Sequence, residues 1–277
     1  MRNRIDLLGT WVDCLDVPQA LAQIDEFVQS RRPHQVVTAN VDFVRLGHRN
    51  PVFRKLVNGA DLVLADGMPL VWASRRSERP LPCRVTGVEM VLACSELAAR
   101  RGYRVFLLGA APGVADEVAA VLQARFPGLC IAGTYAPQIM DLTDHAETVE
   151  IIRKAQPDLL FVAFGAPKQD SWIDLYKERL GVPVCMGVGG SFDMLSGRLR
   201  RAPLWMQRRG LEWLYRLVQE PTRLWKRYLI HDMPIFARLM LQPRSRAAAP
   251  HVAHPVRFVD EVLPDLVFSE ERGTRVG

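Results

Sequence analysis

The chain has 277 residues, 49% of them hydrophobic, with a mean hydropathy of +0.01 and a formal net charge of +6. That length and apolar content suit one large domain, or one domain with an appendage, and exclude an intrinsically disordered chain. No apolar run is long enough to cross a bilayer, and Asp6 and Asp13 interrupt the one segment that could act as a signal peptide, so a cytoplasmic protein is expected.

In chain order, β-type runs occur at 4–9, 35–40, 61–66, 103–109, 128–135, 158–165 and 182–188. Helical patterns fill 17–30, 41–58, 68–77, 87–101, 112–125, 144–155 and 167–180. Nearly continuous apolar strands alternating with amphipathic helices predict a Rossmann-like α/β fold, a mostly parallel sheet with helices on both faces. The opening stretch IDLLGTWVDCLD reads as an antiparallel hairpin at one edge. Strand runs stop after Gly197. Residues 198–243 read as two or three helices, with Pro203 and Pro221 at first-turn positions. The chain thus divides into an α/β domain (1–197), a basic helical appendage (198–243) and a tail rich in Pro, Ala, Arg and His (244–277), which is expected to be unstructured. Residues 197–246 hold 12 Lys and Arg against 3 Asp and Glu, so the basic character belongs to the appendage. Such a balance suits phosphates, nucleic acid or an anionic membrane surface.

The predicted strand ends carry polar and glycine residues. VVTAN delivers Thr38 and Asn40, VLADG delivers Asp66 and Gly67, and FLLGAAPG delivers Gly109 and Gly113. VAFGAPKQD delivers Gly165, Lys168 and Gln169, and MGVGGSFD delivers Gly187, Gly189, Gly190, Ser191 and Asp193. In a parallel sheet these ends share one crevice. Glycines there let backbone N–H groups approach an anion, which points to a phosphorylated ligand, a nucleotide. An acid at Asp66 is either a catalytic group or the cap of the next helix. GAAPGVAD lacks the GxGxxG spacing of a dinucleotide site, so an NAD(P)-dependent oxidoreductase stands only as an alternative. A nucleic-acid-binding module using the basic segment is a second alternative, without a helix-turn-helix or RNA-binding signature. No P-loop, HExxH, GxSxG or DxD motif is present. The five cysteines (14, 83, 94, 130 and 185) are scattered, which excludes a disulfide framework and a structural zinc site.

Taken together, an ordered set of short motifs is recognisable: Thr38-x-Asn40-x-Asp42, Ala65-Asp66-Gly67, Arg84-x-Thr86-Gly87 and Phe106-Leu107-Leu108-Gly109. It continues with Gly165-Ala166-Pro167-Lys168-Gln169-Asp170-x-Trp172, Gly187-Val188-Gly189-Gly190-Ser191-Phe192-Asp193, Arg201-Ala202-Pro203, Glu212-Trp213-Leu214-Tyr215-Arg216-Leu217, Glu220-Pro221-x-Arg223 and Arg227-Tyr228. Over roughly residues 5–240 the chain resembles the WecG/TagA/CpsF glycosyltransferases, with Asp170 where many members have Glu. The resemblance implies an inverting enzyme that moves a sugar from a UDP-sugar, of N-acetylmannosamine type or glucose, to a polyprenyl-diphosphate-linked acceptor. Such enzymes serve cell-surface polysaccharide or teichoic-acid synthesis. It implies Asp66 as general base, no metal and no cofactor. Thr38, Asn40, Gly67, Arg84, Gly109, Gln169, Gly189, Gly190, Asp193, Arg216, Arg223 and Arg227 are the substrate-binding candidates it suggests. In a continuous helix Arg216, Arg223 and Arg227 would align, although Pro221 interrupts the pattern; their other reading is a solvated face paired with Glu212 and Glu220. The appendage is expected to complete the active site and to touch the inner face of the cell membrane. Self-association is compatible with the resemblance, and a nucleic-acid partner is not expected.

Overall fold

The computed structural model describes residues 3–137 and 145–242. The tail expected over 244–277 lies outside the described residues. The chain opens with a hairpin, β1 (Arg4–Leu7) and β2 (Thr10–Asp13), followed by α1 (Val17–Ser30) and β3 (His34–Ala39). Helices α2 (Val41–Arg49) and α3 (Pro51–Gly59) lead to β4 (Leu62–Ala65), α4 (Met68–Ser74) and α5 (Gly87–Arg101). Then come β5 (Arg104–Gly109), α6 (Val114–Arg125), β6 (Cys130–Tyr135), α7 (Ala146–Ala155), β7 (Leu159–Ala163), α8 (Lys168–Leu180), β8 (Val184–Gly187) and α9 (Ser191–Leu195). The appendage contains α10 (Leu204–Arg208), α11 (Glu212–Gln219), α12 (Pro221–Trp225), a π-helical segment (Lys226–Asp232) and α13 (Met233–Leu241).

Six strands form one all-parallel sheet in the order β4-β3-β8-β7-β5-β6. Alternation along each strand assigns its side chains to two layers. Leu62 and Leu64 pack with α1, α5 and α6, whereas Val63 and Ala65 pack on the opposite face with α2, α3 and α4. On that opposite face Phe106, Leu108, Leu160 and Val162 meet α7 and α8 around the fully buried Trp172. The alternating α/β architecture is the one the strand and helix patterns predict.

The hairpin is a separate two-stranded sheet beside β4. Its Asp13 carboxylate accepts the Val63 N–H at 2.8 Å and pairs with Arg4 at 3.0 Å. Arg4 in turn donates to the carbonyls of Asn58 and Ala60. Side chains thus blunt the sheet edge without extending its ladder. One predicted helix, 41–58, is two. Asn50 ends the first, and its side chain accepts the N–H groups of Val52 and Phe53 to start the second, with Pro51 in the first turn. The appendage returns to the hairpin side of the sheet, where Ile235 and Leu239 of α13 join the core beside α2 and α4.

Candidate active site

Strands β4, β3, β8 and β7 end at one edge, and with the appendage they enclose a cavity of about 370 Å³. Asp66 lies in its wall. Its backbone N–H still donates to the Ala39 carbonyl at 2.7 Å, and the Ala65 carbonyl accepts the Val85 N–H at 2.7 Å. Gly67, at φ +131°, then turns the chain into α4, so the acid stands at the point where the strand leaves the sheet. Asp66 caps no helix of its own: α4 has no side-chain cap. Its Oδ2 instead accepts the Gly87 N–H at 3.4 Å. The Asp66 carboxyl is raised to about 6: burial, with help from Glu212 and Glu89, outweighs the Gly87 N–H and Arg216, which pull it down.

The floor comes from β3 and from the turns after β7 and β8. Thr38 donates through Oγ1 to the Gly187 carbonyl at 2.9 Å, which ties the end of β3 to the end of β8. Asn40 caps α2 by accepting the Asp42 N–H at 2.9 Å. Both also line the cavity, so their structural bonds position them there. Gln169 is buried, and its Oε1 accepts the Gly189 N–H at 2.9 Å. A Cβ on Gly187 would lie 2.7 Å from both Gln169 Nε2 and Asp170 Oδ1, so only glycine fits between this loop and α8.

The roof is the appendage. Arg84 forms an ion pair with Glu212 and donates to Gln207 Oε1 at 3.0 Å, while Arg201 joins Glu89 at 3.0 Å and Glu212 at 3.3 Å. These groups weld α11 to the start of α5. Glu220 interrupts the helix and Pro221 begins the next, so Arg216, Arg223 and Arg227 do not lie on one continuous α-helix. All three nevertheless line the cavity. Arg223 pairs with Glu220 at 2.7 Å and is mostly exposed. Arg216 reaches Glu220 only at 4.0 Å, and its Nη2 lies 3.5 Å from where a Gly190 Cβ would be. The buried Nε–H groups of Arg216 and Arg227 have no protein acceptor. Glu212 pairs with Arg84 and Arg201, not with the three arginines.

The cavity therefore gathers Thr38, Asn40, Asp66, Gly67, Arg84, Gln169, Gly189, Gly190, Arg216, Arg223 and Arg227. Two candidates fall outside its lining. Gly109 sits at the end of β5, where a Cβ would strike Phe164 at 2.6 Å, so packing accounts for it. Asp193 lies in α9 behind Gly190, and its carbonyl accepts the Leu199 N–H at 2.8 Å. The sequence reading missed Arg201, Trp72, Met233 and Phe236 in the wall, which the chain brings together only through α4, α13 and the ion network. Among the described residues no group of three or more His, Cys, Asp or Glu could hold a metal ion.

Residues 5–249 match the family described as Glycosyl transferase WecG/TagA/CpsF family. An N-acetylglucosaminyldiphosphoundecaprenol N-acetyl-beta-D-mannosaminyltransferase of Staphylococcus aureus (strain MW2) is 33% identical over 236 residues, covering 84% of this chain and 90% of the relative. A protein of the same name from Bacillus spizizenii is 34% identical over 222 residues, covering 80% and 84% of the two chains. With the strand-end acid and the arginine roof in one cavity, and with this coverage, the chain belongs to the WecG/TagA/CpsF family of glycosyltransferases.

Proposed function

We propose that the protein transfers a sugar of the N-acetylmannosamine type from its UDP derivative to a polyprenyl-diphosphate-linked sugar, with inversion and without a metal ion. The names of the two relatives support the donor and acceptor classes. The observation that carries the mechanism is Asp66, an acid with a raised pKa of about 6 on the wall of a cavity roofed by arginines.

In this reaction an acceptor hydroxyl attacks the anomeric carbon from the face opposite the diphosphate. The new C–O bond forms as the bond to UDP breaks; UDP leaves with the electron pair, and Asp66 takes the hydroxyl proton. A positioned base contributes typically ~10²–10⁴-fold. The charge growing on the departing diphosphate is met by Arg84, Arg216, Arg223 and Arg227, all of which line the cavity. Gly67 and the Gly189–Gly190 turn let backbone approach the ligand.

The appendage also suits a membrane surface. Among the described residues, ten of the eleven large hydrophobics that are exposed fall between Leu204 and Leu241. They share that segment with most of the basic excess, the composition of an interfacial helix. The protein thus acts as a peripheral enzyme at the inner face of the cell membrane, where its acceptor is embedded; self-association through the same surface would compete with docking.

The test is thermal-shift titration with UDP and UDP-sugars in EDTA, paired with a transfer assay, on wild type and Asp66→Asn. Stabilisation by UDP in both proteins, with transfer lost only in the variant, is the expected result. A protein that responds to no uridine nucleotide, or that transfers equally well as Asp66→Asn, overturns the proposal.

A further inference from the structure

Arg227 is held from behind by an acid that no step above uses. Asp42 lies in the first turn of α2, on the catalytic body, buried and outside the cavity lining. Its Oδ1 accepts from Arg45 Nε at 2.8 Å, and its Oδ2 lies 3.1 Å from Arg227 Nη2. On the appendage side, Asp232 Oδ2 lies 3.8 Å from Arg227 Nε, and Asp232 Oδ1 lies 3.6 Å from Arg45 Nε. Two acids and two arginines thus form one cluster that joins α2 to the appendage, with Arg227 and Asp232 on the cavity wall and Asp42 behind it.

The π-helical segment Lys226–Asp232 makes this possible. Residues five apart stack in a π-helix, whereas in an α-helix they diverge by roughly 140°. Arg227 and Asp232 are five apart, so the π turn brings both to Asp42 and Arg45. The two ends of the guanidinium are then used differently. Nη2 is spent on Asp42, while the Nε–H is buried without a hydrogen-bond acceptor.

We infer that Asp42, with Asp232, is a positioning residue for Arg227, fixing its guanidinium on the cavity wall where the diphosphate chemistry takes place. The inference rests on the transferase reading above. A long arginine that must find its rotamer during each turnover is a poorer partner for developing charge than one already clamped. The alternative is that Asp42 serves only α2 and Arg45, as a first-turn acid and an i,i+3 pair.

A double-mutant cycle in kcat/KM separates the two, with thermal stability followed alongside. Asp42→Asn is expected to lose about ten- to a hundredfold in kcat/KM. Arg227→Ala is expected to lose at least as much, and the double variant no more than Arg227→Ala alone. Asp42→Glu, which keeps the charge, should recover part of the loss. If the losses of Asp42→Asn and Arg227→Ala multiply, or Asp42→Asn keeps wild-type kcat/KM, Asp42 does not position Arg227 and the inference fails. Should Asp42→Asn not fold, the same cycle run with Asp232→Asn and Arg227→Ala decides, with non-multiplying losses again expected. A wild-type protein with no transfer from any UDP-sugar would instead overturn the transferase reading, and this inference with it.

Discussion

Asp66 and Asp170 are two buried-edge acids whose raised pKa values lead to different expectations. Asp66, at about 6, must be ionised to accept a proton, so transfer should rise with pH and level off above about 7. A pH profile of kcat with its acid limb near 4 would show that the limb reports another group. Asp170 is fully buried beneath the Gly187 turn, and burial pushes it up to about 7 from 3.8. The folded state therefore holds a proton on Asp170 that the unfolded chain has already released. This contribution to stability is full below about pH 4 and is lost as pH rises to about 7 and beyond. Asp170→Asn should consequently melt higher than wild type at pH 8 and show no such gain at pH 4, read from thermal unfolding across that range. Equal shifts at both pH values would mean that Asp170 does not titrate there.

At the scale of elements, two junctions are sensitive to a single atom or charge. Gly187→Ala would drive a methyl into Gln169 and Asp170 and displace the β8–α9 turn that Gln169 holds through the Gly189 N–H. UDP-induced stabilisation should then fall at least tenfold in apparent affinity, measured by calorimetric titration; unchanged affinity would place the nucleotide elsewhere. Asp13→Ala would strip the hairpin of its bond to Val63 and leave Arg4 buried without its carboxylate. Removing one partner of a buried pair costs about 3–5 kcal/mol, to be read from urea unfolding. These junctions also mark how far the sequence could be read. Apolar alternation disclosed the parallel sheet, and the strand-end acid at Asp66 stood out because buried strands do not tolerate one. Asn50-Pro51 carried a helix break that the continuous pattern over 41–58 concealed. Pro221 did break the arginine helix, yet the three arginines still line one cavity, because the chain folds back over the strand ends, which helical spacing does not disclose. Gly109 reads as a strand-end glycine for a ligand, whereas the group that excludes a side chain there is Phe164, a neighbour that the sequence does not place. Arg84 pairs with Glu212 and Arg227 with Asp42 across more than a hundred residues, so no spacing rule reaches these two contacts. Family membership, finally, sets the oxidoreductase and nucleic-acid readings aside.

For the molecule as a whole, the exposed apolar and basic surface of the appendage predicts binding to vesicles. Flotation with anionic liposomes at low salt should carry the wild type upward, and the pair Leu229→Glu and Ile230→Glu, both on exposed positions, should reduce that several-fold while leaving UDP binding intact. Equal flotation of both proteins would assign the surface to self-association or to no partner.

The position of β8 has a temporal consequence. It lies between β3 and β7, and without it β3-β4 and β5-β6-β7 share no hydrogen-bonded neighbour. Asp66 belongs to the first group and Gln169 follows the second, so the site is divided between two halves of the chain. During synthesis on the ribosome, a nascent chain that has not yet emitted residues 184–187 owns both halves but lacks the strand that makes them one sheet. Only the insertion of this late central strand makes an enzyme of the two pieces, and the sticky, cationic appendage emerges just afterwards, when there is a body for it to close over.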